Sequence, residues 1–308
     1  MVYDLIIIGG GASGISAAIY AARQRLKILL ITKDFTGQIG RKAVDIENYL
    51  GFQKISGLDL VKKFESHLRR FDVKIAMDTV RKVKKQGKGF SVLTSGKKEF
   101  STKTVIVASG ADPRPLEIPG EKEFIGKGVS YCTACDAPMF KDKVVAVIGG
   151  GNSGFEAAIA LNKWAKKIYL LECGLKVAAD KDNQETVAKL KKIEVVLNAE
   201  AKEIKGDNFV EELAYQDRKT KKDKVLKVGG VFVEIGSLPA TSFVKGVVEF
   251  NKKDEIIVNA KTGETTTPGL FTAGDVDDNP YNQIVIAAGE GAKAALSVFK
   301  YLQEETIQ

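Results

Sequence analysis

The sequence predicts an α/β protein with two parallel-sheet domains, one inserted into the other. Three observations support this. First, the chain opens on "YDLIIIGGG", an unbroken apolar run of the kind found in a strand covered on both faces. It passes into Gly9-x-Gly11-x-x-Gly14, then "ISAAIYAARQ", small residues at helical spacing, then a second strand, "LKILLI". Second, the arrangement returns about 140 residues later. There "KVVAVIGGGNSGFEAAIALNKW" holds Gly149-x-Gly151-x-x-Gly154 between strand and helix, followed by the strand "KKIYLLE". Third, 308 residues suffice for two medium-sized cores.

Each glycine loop has a defined chemistry. The glycines permit a tight turn and the close approach of a pyrophosphate. The helix that follows points its free N–H groups and positive dipole end at that anion. One such motif is a weak sign; two, each in a strand–turn–helix–strand frame, are read as two Rossmann-like dinucleotide-binding domains. The binding positions are Gly9, Gly11, Ser13 and Gly14 in the first loop, and Gly149, Gly151, Asn152, Ser153 and Gly154 in the second.

The strand after the second loop ends at Glu172. A carboxylate there accepts hydrogen bonds from an adenosine ribose and repels a 2′-phosphate. The next segment, "CGLKVAADKDN", contains no arginine to pair with such a phosphate. The sequence therefore favours NADH over NADPH; the competing reading makes Glu172 a solvated strand end and gives a phosphate to Lys176 or Lys181. The first copy is less regular. Its acid position falls near "TKDF", where either Asp34 takes the ribose role one residue late or the adenosine is held otherwise.

Composition excludes several classes. No apolar stretch approaches the ~18 residues that span a membrane. The start, "MVYDLIIIGGGASG", has no basic leader and no cleavage-type segment, so a soluble cytoplasmic protein is expected. The net charge of +8 comes mostly from lysine runs such as "RKVKKQGK" and "KTKKDK". These are read as solvated faces and hairpin ends; no nucleic-acid module accompanies them.

Two of the three cysteines, Cys132 and Cys135, stand in "KGVSYCTACDAPMF". With the two loops and the segment "GLFTAGDVDDNPYNQIVIAAGEGAKAAL" (269–296), they make a family visible. The chain resembles the low-molecular-weight thioredoxin reductases and the similar reductase portion of the alkyl hydroperoxide reductase flavoprotein. The likeness runs through "GQIG…VDIENYLGF", "ASGADPRPLEIPGE" and "VFVEIGSLPAT" and covers almost the whole chain.

The resemblance implies FAD in the first domain and NADH or NADPH in the second. Gly9, Gly11 and Gly14 match the FAD pyrophosphate loop. Gln38, Asn48 and Gln283 match positions on the flavin side of the cofactor, Gly110 lies in the matching crossover, and Asp275 matches the acid at the ribityl chain. Asp275 also stands between a strand and a helical run, where the competing reading is a plain helix cap. The layout implied is an FAD-binding domain at 1–112 and 243–308, with the nicotinamide domain at 113–242 inserted between. Two departures stand out: the arginine pattern used for the NADPH 2′-phosphate is absent, and Asn282 stands where the family is often basic.

The CxxC itself allows a zinc half-site, a structural staple or a redox pair. Zinc needs four ligands, and Cys173 and His67 are all that remain, so no metal site is expected. A cytoplasmic setting disfavours a fixed staple. A redox dithiol fits better, with Asp136 either a proton donor and acceptor or a helix-start residue in "DAP". By resemblance, Cys135 is the cysteine near the flavin, Cys132 attacks the partner's disulfide, and Asp136 protonates the leaving thiolate. The family rotates one domain against the other to serve both; hinges are expected near 109–115 and 237–243.

The function implied is an FAD-dependent thioredoxin-disulfide reductase, a homodimer, passing electrons from NAD(P)H to a separate thioredoxin-like protein. Three alternatives stay open: a reductase feeding a peroxiredoxin through a separate thioredoxin-like carrier, a ferredoxin- or flavin-driven thioredoxin reductase, and a redox-sensing flavoprotein without turnover.

Overall fold

The computed structural model describes residues 2–42 and 46–307. They divide into two compact units, one from residues up to Asp112 with those from Leu238 onward, the other Pro113–Ser237.

The first unit begins with β1 (Val2–Ile8), α1 (Ala12–Arg23) and β2 (Ile28–Thr32). The short α2 (Gly37–Lys42) and α3 (Gly57–Leu68) follow, then β3 (Lys74–Met77) and the strands β4 (Val80–Gln86), β5 (Gly89–Thr94) and β6 (Glu99–Val107). Alternation decides what β1 touches. Leu5 and Ile7 face the helices, while Ile6 and Ile8 face a cluster that includes Val83, Phe90 and Val92 of the β4–β5 hairpin. With both faces covered, the strand is apolar throughout, and each such side chain contributes about 1.5–3 kcal/mol by burial.

The chain then crosses through β7 (Ala111–Pro113) into the second unit. That unit holds β8 (Val129–Ser130), α4 (Thr133–Asp136), β9 (Val144–Ile148), α5 (Asn152–Leu161), β10 (Lys167–Glu172), α6 (Lys181–Lys189) and β11 (Ile193–Leu197). A meander of β12 (Ala199–Gly206), β13 (Val210–Asp217) and β14 (Lys222–Lys227) precedes β15 (Val231–Val233). The sheet is wholly parallel, in the order β11-β10-β9-β15-β8. Val145 and Val147 pack toward Phe155, Ala158 and Leu161 of α5; Ala146 and Ile148 pack toward Val210, Leu213 and Tyr215 of the meander.

The return runs through β16 (Ser237–Pro239), which pairs with β7. The second boundary lies at 237/238, five residues before the 242/243 expected from the sequence. The reason is that the residues between are bonded to the first unit: the Ala240 N–H donates to the Gly110 carbonyl, the Ala240 carbonyl accepts from the Ser109 hydroxyl, and the buried Thr241 donates to the Asp254 carbonyl. β17 (Leu270–Thr272) and α7 (Ile284–Ile307) complete the first unit. Its parallel strands stand in the order β3-β2-β1-β6-β17, with β4 and β5 added antiparallel. β6 makes this possible by dividing one edge: Ser101 and Thr102 pair with β5, and Val105–Val107 pair with β17.

Candidate active site: two glycine loops and a disulfide turn

The first loop turns where β1 meets α1. Gly9 has φ +117°, and a β-carbon there would lie 2.1 Å from the carbonyl oxygen of Ala108 at the end of β6. One on Gly14 would lie 1.9 Å from the carbonyl oxygen of Gly9. Both positions exclude a side chain, which draws helix and strand together. Gly11, the N-cap of α1, meets no atom within 4 Å on its Cβ side, so the free N–H groups of the helix open onto space. That is the cradle a pyrophosphate requires. Ser13 is buried behind it, packed by α7: a β-carbon on Gly291 would lie 2.0 Å from the Ser13 carbonyl oxygen.

The same unit carries several of the expected residues. Asp275 follows Gly274 at the loop after β17; burial and the charge of Asp277 push its carboxyl up to about 6. Glu290 of α7 accepts a hydrogen bond from the Gly274 N–H at 2.8 Å. Asn48 donates through Nδ2 to Gln283 Oε1 at 3.0 Å, joining two expected positions 235 residues apart. Gln38 is half-buried on α2. Gly110 has φ +68°, and its carbonyl accepts from the Ala240 N–H.

The acid of the first copy is displaced from where the sequence suggested. Ile8 pairs with Ile31 and Ile148 with Leu171, so the position equivalent to Glu172 is Thr32. Asp34 lies two residues further on, where its Oδ1 accepts from the Gly37 N–H at 3.0 Å at the start of α2.

The second loop repeats the first. Gly149 has φ +127° with a would-be β-carbon 2.3 Å from the Glu234 carbonyl oxygen; one on Gly154 would lie 1.9 Å from that of Gly149. Gly151 caps α5 over open space. Asn152 and Ser153 are exposed, and Asn152 Oδ1 accepts from the Asp180 N–H at 2.8 Å. Glu172 accepts from two backbone N–H groups, Gly150 at 2.8 Å and Gly174 at 2.6 Å. It thus ties the glycine loop to the segment after β10. Arg218, from the β13–β14 turn, donates to the Cys173 carbonyl at 3.4 Å and stands 3.7 Å from Glu200.

Cys132 and Cys135 form a disulfide, with Cα atoms 5.3 Å apart. The pair spans the start of α4: Cys132 is the N-cap, and the Cys135 and Asp136 N–H groups donate to its carbonyl. Cys132 is half-buried and Cys135 exposed. Asp136 ends α4 and stands at the N-cap of the 3₁₀ turn Ala137–Phe140, but its side chain makes no cap bond. It accepts instead from the Ser130 hydroxyl at 2.6 Å. Burial holds its carboxyl above the ordinary range, against the pull of that hydroxyl. A carboxyl that keeps its proton more readily beside a disulfide is equipped to give it to a thiolate.

Three further residues frame this turn. Glu121 is buried and accepts from the Leu116 and Glu117 N–H groups and from the Tyr131 hydroxyl at 2.6 Å. Thr133 donates to Glu234 Oε1 at 2.8 Å. Burial pushes Glu234 up to about 7, with Thr133 opposing and Glu156 reinforcing. None of Arg218, Glu121 and Glu234 was picked out from the sequence. Glu234 alone left a trace there, as an acid directly after the apolar run "GGVFV".

Two loops built for pyrophosphate and a disulfide beside one of them define a dithiol oxidoreductase. The chain matches the pyridine nucleotide-disulphide oxidoreductase family over residues 3–291 and belongs to it. Members join FAD and NAD(P)H to disulfide chemistry. Among its relatives are a Bacillus subtilis (strain 168) protein described as NADH dehydrogenase, 42% identical over 301 residues, and an alkyl hydroperoxide reductase component of Escherichia coli (strain K12), 42% identical over 305 residues. Each alignment covers 97% of this chain but 58% of the relative, less than two thirds of its length. Among solved structures, thioredoxin reductase from Streptococcus pyogenes MGAS5005 superposes with a TM-score of 0.92 at 36% identity, covering 98% of this chain and 99% of that one. The enzyme of the same description from Giardia duodenalis gives 0.92 at 32% identity, covering 98% and 99%.

Proposed function

We propose that the chain is an FAD-dependent reductase of thioredoxin-like protein disulfides that takes its electrons from NADH in preference to NADPH. The supporting observation is the Cys132–Cys135 disulfide, placed on an accessible turn with a protonatable Asp136 beside it and the second glycine loop directly following in the chain.

Bound FAD supplies a carrier that takes two electrons from a nicotinamide and yields them to a disulfide. Gly9, Gly11 and Gly14 would hold its pyrophosphate against the N-terminus of α1, with Ser13 fixed behind them. Asp34 is offered for the ribose, Asp275 for the ribityl chain, and Gln38, Asn48, Gly110 and Gln283 for the flavin side. Gly149, Gly151, Asn152, Ser153 and Gly154 would hold the nicotinamide dinucleotide, and Glu172 would discriminate against a 2′-phosphate.

The outgoing half of the reaction belongs to the cysteines. In the reduced enzyme the Cys132 thiolate attacks the partner's disulfide, one partner thiolate leaves, and a mixed disulfide forms. Asp136 gives its proton to that leaving thiolate. Cys135 then attacks Cys132, expels the second partner thiolate and restores the Cys132–Cys135 bond, so two electrons pass to the partner.

Anaerobic reduction of the yellow holoenzyme tests the electron source. NADH should bleach the flavin faster than NADPH; the reverse order overturns the role of Glu172, and no bleaching by either points to a ferredoxin-type donor. A coupled assay with thioredoxins tests the partner.

A second reading has its own support. The likeness to the alkyl hydroperoxide reductase components of Pseudomonas aeruginosa and Escherichia coli favours a reductase that feeds a peroxiredoxin through a thioredoxin-like carrier. Peroxide consumption that requires both a carrier and a peroxiredoxin would establish it.

A further inference from the structure

Glu234 is a carboxyl that the disulfide exchange above does not use. Its backbone and side chain face two different parts of the second unit. Its carbonyl oxygen fills the space where a β-carbon on Gly149 would stand. Its carboxyl reaches α4 and accepts from the hydroxyl of Thr133, the residue directly after Cys132. Thr133 is itself buried and Glu234 half-buried, so this hydrogen bond is partly shielded from water. Glu156 of α5 is the other charged group acting on the carboxyl, and it is exposed. On α4, Asp136 is turned to Ser130.

We propose that Glu234 is a positioning residue for the redox pair: through Thr133 it holds the cysteine turn against the second glycine loop, and its carboxyl shares a proton balance with the reduced thiols. The inference rests on the redox reading of Cys132 and Cys135. Reduction brings two electrons, breaks the Sγ–Sγ bond and, with two protons, leaves two thiols. The nucleophilic form requires one thiol to ionise. A thiolate on the turn and a carboxylate on Glu234 repel each other, so the first charge suppresses the second. Burial already holds Glu234 up to about 7, in the range where this competition is felt. While Glu234 stays protonated the thiolate forms more easily; once it ionises, the thiol is held back.

The test reads thiols rather than turnover. The FAD-bound enzyme is reduced anaerobically with excess water-soluble phosphine, which takes an oxygen from water to become the phosphine oxide and keeps both cysteines as thiols even where they pass electrons to the flavin. Alkylation of Cys132 and Cys135 by iodoacetamide is then followed across pH by peptide-resolved mass spectrometry, which separates them from Cys173. In E234Q the thiolate profile should move to lower pH by on the order of one unit, with several-fold faster alkylation near neutrality. T133V, which removes the donor that favours the carboxylate, should move it the same way by less. Flavin absorbance taken before reduction shows that each variant is folded. Coincident profiles in wild type and E234Q, or a shift to higher pH, overturn the proposal. If E234Q does not hold flavin, an unmoved profile in T133V overturns it instead. Because no thioredoxin or nicotinamide is present, this test can fail while the reductase reading stands, and the reverse.

Discussion

The two glycine loops share one backbone and differ in their cover. In both, the first glycine turns with positive φ and the third lies against the first, with would-be β-carbons 1.9 Å from a carbonyl oxygen in each case. In the first unit, α7 packs over the loop and leaves Ser13 only 5% exposed. In the second, the matching Ser153 is exposed. The strand ends differ as well: Thr32 in one, Glu172 in the other, and Glu172 is bonded to the loop itself. The lesson is that the motif sets only how closely a pyrophosphate can approach. What is packed around it sets how freely the ligand can leave. A covered loop suits a cofactor that stays, and an open one a cofactor that exchanges at every turnover.

The largest expected effect separates the units completely. Cys135→Ser should keep flavin bleaching by nicotinamide and lose disulfide reduction by at least about 10³-fold; retained disulfide reduction would break the relay. Next come paired glycine variants. Gly14→Ala should yield protein without flavin, read as the ratio of flavin to protein absorbance, and about 1–3 kcal/mol less stable. Gly154→Ala should keep its flavin and raise the KM for the nicotinamide. Identical flavin loss in both would erase the distinction between a resident and an exchanging ligand. Glu172→Ala should narrow the preference for NADH over NADPH by about tenfold, near 1.4 kcal/mol, measured as the ratio of kcat/KM values.

A last effect concerns pH and stability. Glu234 is held above its ordinary 4.5, up to about 7, so the native state binds more protons than the unfolded chain between those values. Its contribution is full below about 4.5 and is lost as pH rises through about 7. Denaturant midpoints of E234Q should fall less across that window than those of wild type. Parallel curves would show that burial leaves the group untouched.

Much of this was legible in the chain because it rests on local rules. A strand running into glycines and then a helix is written in consecutive residues, and the Cys132–Cys135 spacing already suits a bond between neighbours on one turn. What escaped the sequence depends on residues brought together from afar. Arg218 reaches the Cys173 carbonyl from a turn 45 residues away, and Thr133 finds Glu234 across 101. The second boundary moved because Ala240 and Thr241 bond to Ser109, Gly110 and Asp254 of the first unit, which no composition shift announces. Asp136 was read as either proton donor or helix start. The structure puts it at an N-cap without a cap bond, its side chain turned to Ser130.

The division of β6 between two neighbours has a consequence for how the molecule is made. Its antiparallel neighbour β5 directly precedes it, but its parallel neighbour β17 begins at Leu270. The inserted unit, Pro113–Ser237, therefore leaves the ribosome entire before that edge of the first sheet can be filled. Until α7 follows, the small-residue face of α1 and the Ser13 side of the first loop have no cover. Of the two units, the one that would keep its cofactor longest is thus completed after the other, closed only once α7 has emerged.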